Sequence, residues 1–207
     1  TGSKARTFMP ASVRALMMLM AAAFVMVLMA VYVFTFPKYK TEEITITFFG
    51  VFYVAVMLSY IYQTRNLPGG IFSVWLVFVC SWGCDTFAYC VGKLIGKKKI
   101  FPVLSPKKSL EGCIGGVLGA ALLAGLYGYF LLKEEPVWVM AVIGAAGALI
   151  SMAGDLAASA IKRNKGIKDY GKLIPGHGGI MDRFDSVIVT APVVYFLSVL
   201  LFGEKKG

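Results

Sequence analysis

The sequence predicts an all-α, polytopic membrane protein, and three observations carry that expectation. Of its 207 residues, 58% are hydrophobic and 15% are charged, whereas a soluble domain has roughly 45–50% and about 25%. Mean hydropathy is +0.74. The apolar residues gather into six stretches near the length of about 20 residues that a spanning helix needs: 13–36, 44–62, 71–91, 112–132, 137–158 and 187–202. Lys and Arg total 21 against 11 Asp and Glu, a net charge of +10, and they fall mostly between those stretches. Disordered, collagen-like and disulfide-scaffold classes are excluded by the same composition. The four cysteines, Cys80, Cys84, Cys90 and Cys113, form no CxxC pair. They read as buried thiols rather than zinc ligands.

Taken in order, the first two stretches give the clearest spanning signals. The third carries Asp85 and the fifth carries Asp155, each inside an apolar run. The fourth has a small-residue surface, Gly112-x-x-x-Gly116 and Gly115-x-x-x-Gly119, which lets neighbouring backbones approach closely. The sixth is short, but the polar residues before it could extend the helix. About six transmembrane helices are therefore expected. With six spans the loops alternate sides, and 14 of the 21 basic residues fall on one side. That side is expected to face the cytoplasm.

An ionisable group at membrane depth costs several kcal/mol and marks a functional site by default. For Asp85 a helix-holding salt bridge stays open beside that. Asp155 is better supported. Asp155, Ser159 and Lys162 stand at i, i+4 and i+7, on one helical face. The segment 159–185 that follows holds Arg163, Lys168, Asp169, the lone His177, Asp182, Arg183 and Asp185. Gly176, Gly178 and Gly179 permit backbone shapes that turn several N–H groups toward one anion. Asp182 and Asp185 read either as site carboxylates or as helix-starting residues. Paired with Asp155, Asp182 would supply hard oxygen ligands that suit Mg²⁺, with other positions left to water and phosphate. A second basic segment, 92–111, contains Lys107 and Lys108. It reads as a collar for anionic lipid, as a funnel for a polyphosphate, or as both. Neither basic loop interleaves aromatic residues, so no nucleic-acid partner is expected.

The run Ser159-x-Ile161-Lys162-Arg163-x4-Lys168-Asp169-x-Gly171-x2-Ile174-Pro175-x-His177-Gly178-Gly179-Ile180-x-Asp182-Arg183-Phe184-Asp185 resembles the signature of CDP-diacylglycerol synthases, also called phosphatidate cytidylyltransferases, with no departure across 27 positions. Asp85-Thr86-x-Ala88-Tyr89-x2-Gly92-x3-Gly96-Lys97 and Ser105-Pro106-Lys107-Lys108-Ser109-x-Glu111-Gly112 are similar to further family segments. The resemblance covers roughly 71–202. It implies Mg²⁺-dependent transfer of a cytidylyl group from CTP to phosphatidic acid, giving CDP-diacylglycerol and pyrophosphate. It also implies a homodimer in the cell inner membrane or its equivalent, in contact with membrane lipids, with the site facing the cytoplasm.

On that resemblance Asp155 and Asp182 are the metal-binding carboxylates, with a second cation left open, and Ser159 and Lys162 line the same site. Asp85, Lys107, Lys108, Arg163, Lys168, Asp169, His177, Gly178, Gly179, Arg183 and Asp185 are expected to contact substrate. The expected organisation is a tail over 1–12, whose opening Thr1-Gly2-Ser3 resembles a cloning remnant, then N-terminal transmembrane helices over 13–70. A catalytic transmembrane region over 71–207 follows, with cytoplasmic loops 92–111 and 159–185. Family members are usually longer, so helices preceding this chain are expected. Two rival functions are a CTP-dependent lipid-alcohol kinase and a cation-coupled transporter using the intramembrane Asp residues.

Overall fold

The computed structural model describes residues 11–102, 104–132, 136–171, 173 and 178–203. Two compact units divide the chain: Thr1–Ala55 with Gly207, and Val56–Lys206.

The first unit contains α1 (Ala11–Phe34) and α2 (Thr41–Gly50). The Lys40 backbone N–H donates to Glu43 Oε2 at 2.9 Å, and Glu42 and Glu43 place negative charge at the positive end of α2. The Tyr32 and Thr41 hydroxyls meet at 2.9 Å across the turn. No described residue of either helix is buried, and large apolar side chains such as Met18, Met26 and Phe34 are exposed. In water such a surface would be a liability; in a bilayer, lipid covers it.

The second unit is a helical bundle: α3 (Met57–Arg65), α4 (Gly70–Phe78), α5 (Cys84–Ile95), α6 (Leu110–Leu131), α7 (Val137–Asn164) and α8 (Met181–Gly203). A π-helical stretch, Val79–Gly83, joins α4 to α5. α6 packs between α5 and α7, and α8 packs on α7 and α3. Leu76, Val77, Met140, Ile143 and Val194 form the main core. Glycine makes the close approaches possible. A Cβ on Gly112 would lie 2.7 Å from the Ala88 carbonyl oxygen, and one on Gly116 would lie 3.0 Å from that of Cys84. The thiols of Cys80 and Cys84 are buried and point at the carbonyls of Ile143 and Ala148, each at 3.7 Å. Cys90 and Cys113, also expected to be buried, are exposed and half-buried respectively.

Five helices are long and apolar enough to cross a membrane, Thr41–Arg65, Gly70–Ile95, Leu110–Leu131, Val137–Asn164 and Met181–Leu201, and a shorter apolar helix covers Met18–Phe34. The chain is an integral membrane protein. The polar residues before the last apolar stretch do extend its helix, which starts at Met181 rather than at 187. Likewise α7 continues past 158 to Asn164. Both extensions matter because they carry Lys162, Asp182 and Asp185 into register with one another.

Candidate functional site

Two groups of charged side chains form, one where α5 and α7 meet the loop that follows α5, the other where the end of α7 meets the start of α8. The loop is held by its far end. Glu111 Oε2 accepts the backbone N–H groups of Lys97 at 3.1 Å and Lys98 at 3.3 Å. Ser109 caps α6 by accepting from the Gly112 N–H at 3.2 Å, and an isolated antiparallel bridge pairs Lys99 with Ser109. These bonds carry Lys107 and Lys108 back over α5.

The first group lies around a cleft of about 270 Å³ whose lining includes Asp85, Tyr89, Ser105, Lys107, Lys108 and Asp155. Lys108 Nζ stands 2.6 Å from Asp155 Oδ2. This is a close ion pair of a buried ammonium, which carries three N–H donors and so has more than the one carboxylate oxygen takes up. Asp85 is the second residue of α5, just after the π-helical stretch, and lines the cleft. Its side chain is exposed to that cleft.

The second group is tighter. Lys162 Nζ donates to Asp182 Oδ1 at 2.8 Å and lies 3.7 Å from Asp185 Oδ2. Asp182 Oδ2 accepts the backbone N–H groups of Tyr170 at 2.8 Å and Gly179 at 2.9 Å. Gly178, at φ +81°, takes a left-handed conformation that a side chain would oppose, and this turns the Gly179 N–H toward the carboxylate. The Tyr170 ring sits 5.2 Å from Lys162 Nζ, a cation–π distance. Burial raises the Tyr170 phenol above its ordinary value, so it stays protonated and donates to the Ala158 carbonyl at 3.2 Å. The groups also act on each other electrostatically: Asp155 is felt at Asp85, Asp185 and Lys162.

Of the residues singled out in the sequence, the fold therefore brings Asp85, Lys107, Lys108 and Asp155 to the cleft. It brings Lys162, Gly178, Gly179, Asp182 and Asp185 to the second group. Ser159 is half-buried one turn beyond Asp155 on α7. Arg163, Lys168 and Asp169 are exposed. Arg183 is exposed too, and its carbonyl accepts from the Trp82 indole at 3.3 Å. His177 lies outside the described residues. Asp155 and Lys162, placed on one helical face by their spacing, take separate ion-pair partners: the loop after α5 supplies Lys108 to one, and α8 supplies carboxylates to the other.

Sequence reasoning passed over Tyr170 and the latch role of Glu111. Glu111 stood inside a recognised segment, but Tyr170 acts through its backbone N–H, which leaves no residue-type signal. Among the described residues, no group of three or more His, Cys, Asp or Glu could hold a metal ion. Any cation here would rest on one or two carboxylates and share its remaining positions with water and phosphate.

A family model described as "Cytidylyltransferase family" matches residues 5–201. A phosphatidate cytidylyltransferase of Synechocystis sp. is 45% identical over 139 residues, 66% of this chain and 46% of that protein. Phosphatidate cytidylyltransferases of Staphylococcus epidermidis and Staphylococcus aureus are each 37% identical over 150 residues, 72% of this chain and 57% of each relative. The chain spans about half the length of the curated relatives it matches.

Proposed function

The chain belongs to the cytidylyltransferase family, and from that premise we propose that it transfers the cytidylyl group of CTP to phosphatidic acid, giving CDP-diacylglycerol and pyrophosphate. The relatives' activity supports the substrates. The carrying observation in the fold is Lys108: a buried ammonium paired with Asp155 at a cleft wall, with N–H donors beyond the one that this carboxylate takes. An incoming phosphate oxygen is the natural acceptor for them. In the reaction a phosphate oxygen of the lipid attacks the α-phosphorus of CTP. A new P–O bond forms, the bond from the α-phosphorus to the bridging oxygen breaks, and pyrophosphate leaves. The second pKa of a phosphate monoester is about 6, so the nucleophile needs no strong base. Positioning and charge neutralisation carry the rate instead.

Lys107 and Lys108 would orient the nucleotide phosphates from the loop, and Lys162, fixed by Asp182 and Asp185, would hold positive charge close to the transferred group. Arg163, Lys168 and Arg183 surround the same helix ends and would offset the remaining charge. Asp155 offers hard oxygens at the cleft that suit Mg²⁺, and Asp182 would join it only by giving up Lys162, since its other oxygen already accepts the Tyr170 and Gly179 N–H groups. When bound, Mg²⁺ would neutralise charge across the phosphates. This assigns the catalytic region to 71–207, with its loops at the cytoplasmic face, a side supported by the excess of basic residues there.

The test is labelled CTP with phosphatidate, with and without Mg²⁺, on the membrane-embedded protein. Labelled CDP-diacylglycerol and pyrophosphate are expected. Asp155→Asn and Asp182→Asn should each bring turnover to background in protein that remains folded. Release of CDP would replace this reading with a lipid-alcohol kinase, and the absence of labelled lipid would favour a cation-coupled transporter.

A further inference from the structure

We propose that the cavity between the end of α5 and the 96–109 loop binds the phosphomonoester head of a membrane lipid, which on the reading above (and resting on it) is the phosphatidate that accepts the cytidylyl group. The cavity is about 230 Å³, and Lys93, Lys99 and Lys107 line it together with Tyr89, Gly92 and Pro106. No carboxylate lines it, whereas Asp85 and Asp155 line the neighbouring cleft. A doubly charged phosphate is drawn to the cation-only wall and repelled by the carboxylates beside it.

The lysines are not scattered at random over the surface. The Lys99–Ser109 bridge and the Glu111 latch fix the loop, and Lys99 Nζ donates to the Lys107 carbonyl at 3.3 Å, which keeps the two lysines side by side. Lys93 Nζ lies 5.9 Å from the Tyr89 ring on the α5 side.

The position separates lipid from free nucleotide. α5 closes the candidate span Gly70–Ile95, so the cavity lies where a span ends and lipid headgroups begin. Leu94 is 81% and Ile95 60% exposed beside it, an apolar flank suited to acyl chains. The cavity also shares Ala88, Tyr89 and Lys107 with the Asp155 cleft. A lipid phosphate held there abuts the space assigned to the nucleotide, so the two substrates would arrive from different directions.

The double variant Lys93→Gln/Lys99→Gln tests this in the whole protein in nanodiscs, by kinetics and by equilibrium binding. The KM for phosphatidate should rise about tenfold while the KM for CTP stays within about twofold. Binding of short-chain phosphatidate should weaken by a similar factor, and Lys93→Arg/Lys99→Arg should retain it. Inorganic phosphate and CTP serve as the other binding probes. Weakened CTP binding with phosphatidate unaffected would make this a nucleotide-phosphate cavity and overturn the proposal. So would unchanged binding of every probe, or inorganic phosphate competing as well as the lipid. The binding arm separates the two proposals: if the wild type binds phosphatidate through these lysines but makes no CDP-diacylglycerol, the cavity stands and the cytidylyl-transfer reading falls.

Discussion

Two lysine–aspartate pairs serve the same helix, α7, and they differ in how completely each carboxylate is used. Asp182 receives the Lys162 ammonium and two backbone N–H groups, and the side chains of the pair are only 12% and 6% exposed. Asp155 has the Lys108 ammonium as its partner, without backbone N–H groups among the described residues, and that pair is 18% and 28% exposed at a cleft wall. The first arrangement fastens Tyr170 and Gly179 to the start of α8 and the end of α7. The second leaves both partners with capacity for something that enters the cleft. Sealed polar networks hold a shape, and unsaturated ones at a surface are where ligands bind.

Substituting the lysines probes that difference most strongly. Lys162→Met should strand the carboxylates of Asp182 and Asp185 and cost about 3–5 kcal/mol. It would be read as a large fall in melting temperature in detergent and as protease cleavage between α7 and α8. Lys108→Met should cost only about 1 kcal/mol, because water in the cleft can hydrate Asp155, yet it should reduce CTP-dependent turnover. Equal destabilisation by the two would end the distinction between a fastening pair and a ligand-facing one.

Gly178→Ala tests the turn behind the fastened pair. A Cβ there meets Asp182 Oδ2 at 2.9 Å on a backbone with φ +81°, so about 1–2 kcal/mol of stability should be lost. Mild-protease sensitivity should appear near Tyr170 and Gly179 while the Lys108–Asp155 cleft still binds CTP. Tyr170→Phe should have the smallest effect, about 0.5–1.5 kcal/mol. It removes the bond to Ala158 and keeps the backbone N–H that Asp182 accepts. A larger loss, measured by thermal unfolding, would mean that the phenol rather than the amide fastens Tyr170.

Much of the fold was legible because lipid imposes a simple rule on sequence: a spanning helix needs a long apolar run. The runs at 44–62, 71–91 and 137–158 reappear within helices of spanning length, and 112–132 does so to within one residue. Helix ends were less legible. The ends of α7 and α8 are polar and have no apolar signal, and ion pairs between the two helices hold them. Among site residues, Asp85 and Asp155 announced themselves because charge is costly in an apolar run. Lys93 and Lys99 did not, since single lysines at span ends look like ordinary interfacial residues until the loop folds back to enclose a cavity.

The sequence by itself determined the membrane class, the order of the spans and the residues that carry charge into them, because burial in lipid constrains composition locally. Helical spacing placed Asp155, Ser159 and Lys162 on one face, and there local information ran out. Only the tertiary structure decided that Asp155 pairs with Lys108 and Lys162 with Asp182 and Asp185. Ion pairs form over a few ångströms, and those distances depend on which helices approach. Here glycine on α6 lets α5 come close, and a latched loop delivers lysine from more than forty positions away in the chain.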